Sequence, residues 1–84
     1  METQTTTSRP LYEIANEIRK DWGKKMYFGA VPYVQAMQSL DKITDNYISD
    51  SGRSIVAYFL GNAMTWRGET ARRVKAELNE MLKH

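Results

Sequence analysis

The chain has 84 residues, no cysteine and a formal net charge of +2. This length allows one domain and leaves no room for a core together with a deep cavity lined by several polar groups. The lack of cysteine excludes disulfide frameworks and Cys-based metal sites. No apolar run approaches the roughly 18 residues that a membrane-spanning helix needs.

The first eight residues, METQTTTS, are polar and have no hydrophobic periodicity. They predict a mobile N-terminal tail at residues 1 to 8. No basic region followed by an apolar stretch precedes the rest, so we expect no secretory signal and a cytoplasmic location. Neither a repeat nor a linker divides the remainder, and residues 9 to 84 are predicted to form a single helical domain.

Apolar residues spaced three and four apart predict an all-α fold, a compact bundle of three to four short helices. The first helix is expected to begin near Pro10 with Ser8 or Arg9 as its cap, and Gly23 should end it. The apolar residues on its inner face are Leu11, Ile14, Ala15, Ile18 and Trp22.

Three further helices follow the loop at residues 23 to 30. The second is predicted to open at Pro32 and to end between Leu40 and Tyr47, where polar residues compete for backbone hydrogen bonds. A turn and cap signal at residues 49 to 52 introduces the third, from about Gly52 to Met64. A buried strand at residues 55 to 60 is the competing interpretation, but no other segment alternates with period two. Thr65 is predicted to cap the fourth helix.

The sequence offers little for catalysis. Its one histidine, His84, is the last residue, which excludes Ser/His/Asp and Cys/His arrangements. Asp41 and Asp45 are four apart and could hold one Mg²⁺ through water. A helix end followed by a turn at Asp50 explains the same carboxylates more simply. We therefore expect no enzyme activity, no cofactor and no metal.

The predicted fourth helix carries a basic stripe on its outer side. The stripe consists of Arg72, Lys75, Asn79 and Lys83. Such a stripe can follow phosphates, but acidic residues on the same helix offset much of its charge. A helix-turn-helix pattern over the third and fourth helices fails, because Arg67 stands where that motif needs an apolar residue.

Aromatic residues are numerous for a chain of this size, and those left at the surface suit a protein interface. Whether Trp66 and Asn62 belong to the core or to an interface stays open at this point. The candidate interface residues are Tyr27, Phe28, Trp66, Arg67, Arg72 and Lys75.

Two stretches, GAVPYVQAM (residues 29 to 37) and SIVAYFLGNAMTWRGETARRVKAEL (residues 54 to 78), resemble small proteins encoded by phages and prophages of actinobacteria. The likeness covers about residues 10 to 83 and includes no catalytic signature. It implies a phage or mobile-element origin and the host bacterial cytoplasm as the place of action. Small phage accessory proteins commonly bind a host or viral macromolecule, which is an argument by association.

These observations predict a non-catalytic binding module that acts through protein–protein contacts with a host or viral protein. The alternative is weak nucleic-acid binding through the basic outer face of the C-terminal helix. We expect no membrane partner, and a homo-oligomer stays open.

Overall fold

Four α-helices make up most of the structure, a computed structural model that describes residues 9–83. α1 and α3 each pack against both α2 and α4, which confirms the predicted compact all-α bundle. The predicted tail at residues 1 to 8 and His84 lie outside the described residues. The helices are α1 (Leu11–Trp22), α2 (Val31–Met37), α3 (Gly52–Gly61) and α4 (Glu69–Leu82).

The first helix is capped differently from the prediction. Pro10 occupies the N-cap position and makes no side-chain hydrogen bond, so neither predicted capping residue takes that place. The backbone N–H groups of Leu11 and Tyr12 instead donate to the carbonyls of residues 41 and 40, at 2.8 and 2.9 Å. Carbonyls from a distant segment thus satisfy the free N–H groups at this helix start. Gly23 ends α1 with a φ of 58°, as predicted.

The second helix ends at Met37, earlier than the predicted end between residues 40 and 47. The Asp45 carboxylate accepts backbone N–H groups from Asp41 and Lys42, at 3.2 and 2.9 Å. This local hydrogen bonding competes with helix and turns the chain. Leu40 is nevertheless buried, as its place in the apolar pattern predicts.

A short hairpin that the sequence analysis did not predict precedes α3. Its strands, β1 (Asn46–Tyr47) and β2 (Asp50–Ser51), pair antiparallel with residue 46 opposite residue 51. Two residues per strand are too few to reveal an alternating pattern. At the tip, Ile48 is 87% exposed and has a φ of 57°, a conformation that a β-branched residue rarely adopts.

The predicted turn and cap signal before α3 is confirmed. Ser51 is the N-cap, and its hydroxyl accepts the backbone N–H of Ser54 at 3.1 Å. Gly52 is packed so closely that a Cβ there would lie 2.8 Å from the carbonyl oxygen of Ile43. A side chain at residue 52 would therefore push residues 42 and 43 away from the helix.

The connection between α3 and α4 differs most from the prediction. α3 ends at Gly61 rather than Met64, and α4 begins at Glu69 with Gly68, not Thr65, at its N-cap. The chain between the helices therefore spans residues 62–68. Its length lets the Trp66 side chain turn into the core, where it is only 2% exposed.

Apolar side chains from all four helices and from this connection form one core. Trp22 and Phe59 are both buried in it, as their inner-face positions predict. Leu60 and Leu82, whose helical spacing also predicts inward-facing side chains, are half-buried and pack against this core. No helix within residues 9–83 combines the length and apolarity that crossing a membrane requires.

An ion-pair network joins α1 to α4. Arg9 donates two hydrogen bonds to the Glu77 carboxylate, at 3.0 and 2.7 Å, and one to Glu17 at 2.8 Å. Arg73 also donates to Glu17. The hydrogen bond from Arg73, and then that from Arg9, hold the pKa of Glu17 below its ordinary value of 4.5. Arg73 and Glu77 lie four residues apart on α4, a spacing that predicts a pair along the helix. Arg73 instead pairs with Glu17 of α1, and Glu77 pairs with Arg9, which precedes α1.

The ion-pair network should make the free energy of unfolding depend on pH in the acidic range. Because folding lowers the pKa of Glu17, its contribution is complete above about pH 4.5 and is lost as pH falls through the lowered value. We expect Glu17→Gln to cost about 1 kcal/mol or less at neutral pH, as partly exposed pairs do, and to flatten the decline below pH 4.5.

Urea unfolding as a function of pH measures this, with Glu13→Gln as the control because the Glu13 carboxylate reaches Arg9 only at 4.0 Å. An unchanged acid profile in Glu17→Gln would contradict the assignment.

A substitution at the hairpin tip should stabilise the fold. Left-handed backbone costs an ordinary L-residue roughly 1–2 kcal/mol, whereas asparagine tolerates it. Ile48 buries little surface that a polar replacement would lose. We expect Ile48→Asn to stabilise the fold by about 1 kcal/mol, a rise in Tm of roughly 4–8 °C. Ser49→Asn, at the neighbouring turn residue without positive φ, is the control and should change little. A drop in Tm for Ile48→Asn would show that the tip is not strained.

Candidate functional site

Trp66 fastens the connection between α3 and α4 to the end of α1. Its ring stacks on Trp22 with centroids 5.6 Å apart, and Phe59 meets both rings edge-on. The indole N–H donates to the Asp21 carboxylate at 2.8 Å, and Lys75 donates to the Trp66 carbonyl at 2.6 Å. Apolar stacking and two polar contacts thus hold residues 62–68 in place.

A second loop, residues 23–30, lies against the end of α3. Two short 3-10 turns shape it, Gly23–Lys25 and Phe28–Ala30. A Cβ at Gly29 would lie 2.5 Å from the Tyr27 ring and 2.9 Å from Asn62 Oδ1. Glycine therefore permits this close approach between the loop and the residue that ends α3.

The two loops together present apolar side chains to solvent. Phe28 is 79% exposed, Met64 is 78% exposed, and Tyr27 lies with its ring centroid 4.9 Å from that of Phe28. We call these three residues the apolar patch. A surface cleft of about 290 Å³ opens between Tyr27 and Met64. Its floor and walls include Gly61, Asn62 and Thr65.

The predicted interface residues fall into separate places. Tyr27 and Phe28 are two of the three residues of the apolar patch. Arg67 is exposed in the connection, three residues after Met64. The expectation that Trp66 could contact a partner is corrected, because its ring is in the core.

Two predicted interface cations on α4, Arg72 and Lys75, differ in their exposure to solvent. Arg72 is exposed, whereas Lys75 is half-buried over the Trp66 ring, 6.0 Å from its centroid. Burial, and then the charge of Arg67, lower the pKa of Lys75. Lys75 therefore acts as a structural contact of the connection rather than as an outward-facing charge.

The sequence analysis missed Met64 as a surface residue. It assigned residues 61 to 64 to the third helix, where an apolar residue near the inner face would be buried. Asn62 was noticed as ambiguous, and it is half-buried as the C-cap of α3, where its amide donates to the Tyr58 carbonyl at 2.9 Å. A glycine followed by asparagine, as at Gly61 and Asn62, is a signal for the end of a helix. This signal could have corrected the predicted helix end at Met64.

One of the two carboxylates that could have held Mg²⁺, that of Asp45, is otherwise engaged. One oxygen of Asp45 accepts the two backbone N–H groups of residues 41 and 42, and these bonds, that from Lys42 foremost, lower its pKa. Within residues 9–83, no group of three His, Cys, Asp or Glu side chains is placed to hold a metal ion.

No protein-family model, curated protein or solved structure matches the chain. The resemblance to phage and prophage proteins of actinobacteria accordingly stays a prediction, and the surface must be judged from its own geometry.

Proposed function

We propose that this protein is a non-catalytic binding module that acts through protein–protein contacts, with the apolar patch as its contact surface. The observation that supports this most is the exposure of Phe28 and Met64 beside a cleft. Single exposed apolar residues are ordinary, but aromatic and methionine side chains grouped around a concavity are typical of interfaces.

The support beneath the patch favours binding as well. Residues 62–68 are held by the buried Trp66, and Gly29 packs the aromatic loop onto Asn62. A surface that is already ordered loses less conformational freedom when a partner binds, so more of the contact energy appears as affinity.

The proposed setting rests on the resemblance alone. We propose a phage or mobile-element accessory protein that works in the cytoplasm of its host and meets a host or viral protein there. The apolar patch is compatible with either kind of partner.

The alternative, nucleic-acid binding through α4, has weaker support. Lys75 donates to the Trp66 carbonyl, and Arg73 is paired with Glu17. Each phosphate contact contributes about −0.9 to the slope of log affinity against log salt, so the few cations left predict weak binding that physiological salt abolishes.

The patch can be tested by comparing three baits in affinity capture from an actinobacterial lysate. Phe28→Ser with Met64→Ser should leave folding nearly unchanged, since both side chains are exposed, and should lose proteins that the parent retains. Tyr12→Ser with Ile48→Ser removes two exposed apolar side chains elsewhere and serves as the matched control. Retained proteins are then purified and titrated calorimetrically. Identical retention by parent and patch variant would contradict the proposal.

Titration with duplex DNA tests the alternative function, nucleic-acid binding. At about 150 mM salt, where the Debye length is near 8 Å, we expect no submicromolar binding to random duplexes. Submicromolar binding that Arg72→Glu with Lys83→Glu abolishes, in a folded protein, would promote the nucleic-acid function instead. These two cations are chosen because Lys75 is needed to hold the connection.

A further inference from the structure

The charged side chains in the loops that carry the apolar patch are all of one sign. The two loops that form the surface, residues 23–30 and 62–68, contain three basic residues and no acidic residue. Lys24 and Lys25 are exposed in the first loop, with only Met26 between them and Tyr27, and Arg67 is exposed in the second, three residues after Met64. We call these three cations, which neighbour the patch in sequence, its rim.

The carboxylates that flank these loops only partly offset this charge. Asp21, at the end of α1, accepts the Trp66 indole N–H, which is neutral and does not offset that carboxylate, and Glu69 belongs to the first turn of α4. The C-terminal ends of α1 and α3 each contribute roughly half a negative charge, and the N-terminal ends of α2 and α4 each contribute roughly half a positive charge. Three cations against two carboxylates leave the two loops and their flanks with a net positive charge.

The cleft itself suits an apolar anchor rather than an anion. Its volume of about 290 Å³ is near the lower limit for ligand pockets, and it is walled by Tyr27 and Met64. Its lining includes Gly61 and Asn62 at the C-terminal end of α3, where carbonyl dipoles disfavour negative charge. An occupant must therefore place a large apolar side chain in the cleft and its carboxylates at the rim.

Building on the proposed function, we propose that the apolar patch binds an acidic protein segment. A large apolar side chain of that segment fills the cleft, and flanking Asp or Glu residues pair with Lys24, Lys25 and Arg67. Complementary charge of this kind mainly selects the partner and speeds encounter, while the buried anchor provides affinity. An anionic membrane would also meet the cations, but the cleft between Tyr27 and Met64 suits a single inserted side chain better than the surface of a bilayer.

The experiment selects binders from a random displayed peptide library on the full chain, with counter-selection on Phe28→Ser with Met64→Ser. We expect the surviving peptides to combine Asp or Glu with at least one Leu, Ile, Met, Phe or Trp. A synthetic survivor should bind at least about tenfold more weakly to Lys24→Glu with Lys25→Glu, because like charges then face each other. Replacing its acidic residues by lysine should restore binding to that variant.

The matched control is Arg72→Glu with Lys83→Glu, which changes net charge equally on the outer side of α4 and should leave peptide affinity intact. Survivors that depend on the patch but are neutral or basic would overturn the acidic segment and leave the proposed function standing. No patch-dependent survivor at all would overturn both.

Two other occupants are checked with the same variants. Patch-dependent binding to phosphatidylserine vesicles, without patch-dependent peptides, would assign the surface to a membrane and overturn the proposal. Sedimentation that reveals self-association, lost in Phe28→Ser with Met64→Ser, would make a second copy the occupant and overturn it as well.

Discussion

The burial of the Trp66 indole is the constraint on which the rest of the structure depends. The ring is the largest fully buried side chain in the described part of the chain, yet it comes from the connection between two helices. Its N–H needs a partner once it leaves water, and Asp21 supplies one. Lys75 satisfies the backbone carbonyl of the same residue. The connection must therefore be long enough to reach inward, which fixes where α3 ends and where α4 begins.

The same constraint creates the candidate surface. With Trp66 held inside, the preceding residues turn outward, and Met64 becomes exposed beside the Tyr27 and Phe28 loop. The cations of α4 behave in the opposite way, since Arg73 and Lys75 are used for internal contacts. Internal packing thus gives no explanation for the exposure of the patch, whereas it accounts for Lys75, one of the three cations of the basic stripe.

Local signals allowed much of the fold to be predicted. The inner faces of α1 and α4, the glycine end at Gly23 and the cap at Ser51 follow from spacing and residue chemistry within one or two turns. Two of the three patch residues, Tyr27 and Phe28, were predicted as interface residues. The exposure of the third, Met64, depends on the burial of Trp66, which requires contacts with Trp22 and Phe59 from distant segments. No local pattern encodes those contacts, so Thr65 resembled a helix cap and Trp66 a helix start.

The most direct test of this account is hydrogen exchange at the Trp66 indole N–H, followed by NMR. If the ring and its bond to Asp21 hold the connection in place, this proton should exchange only when the whole domain unfolds, with a protection that matches the free energy of global unfolding. Exchange at the rate of a free indole, in a protein whose helices remain protected, would contradict the central role of Trp66.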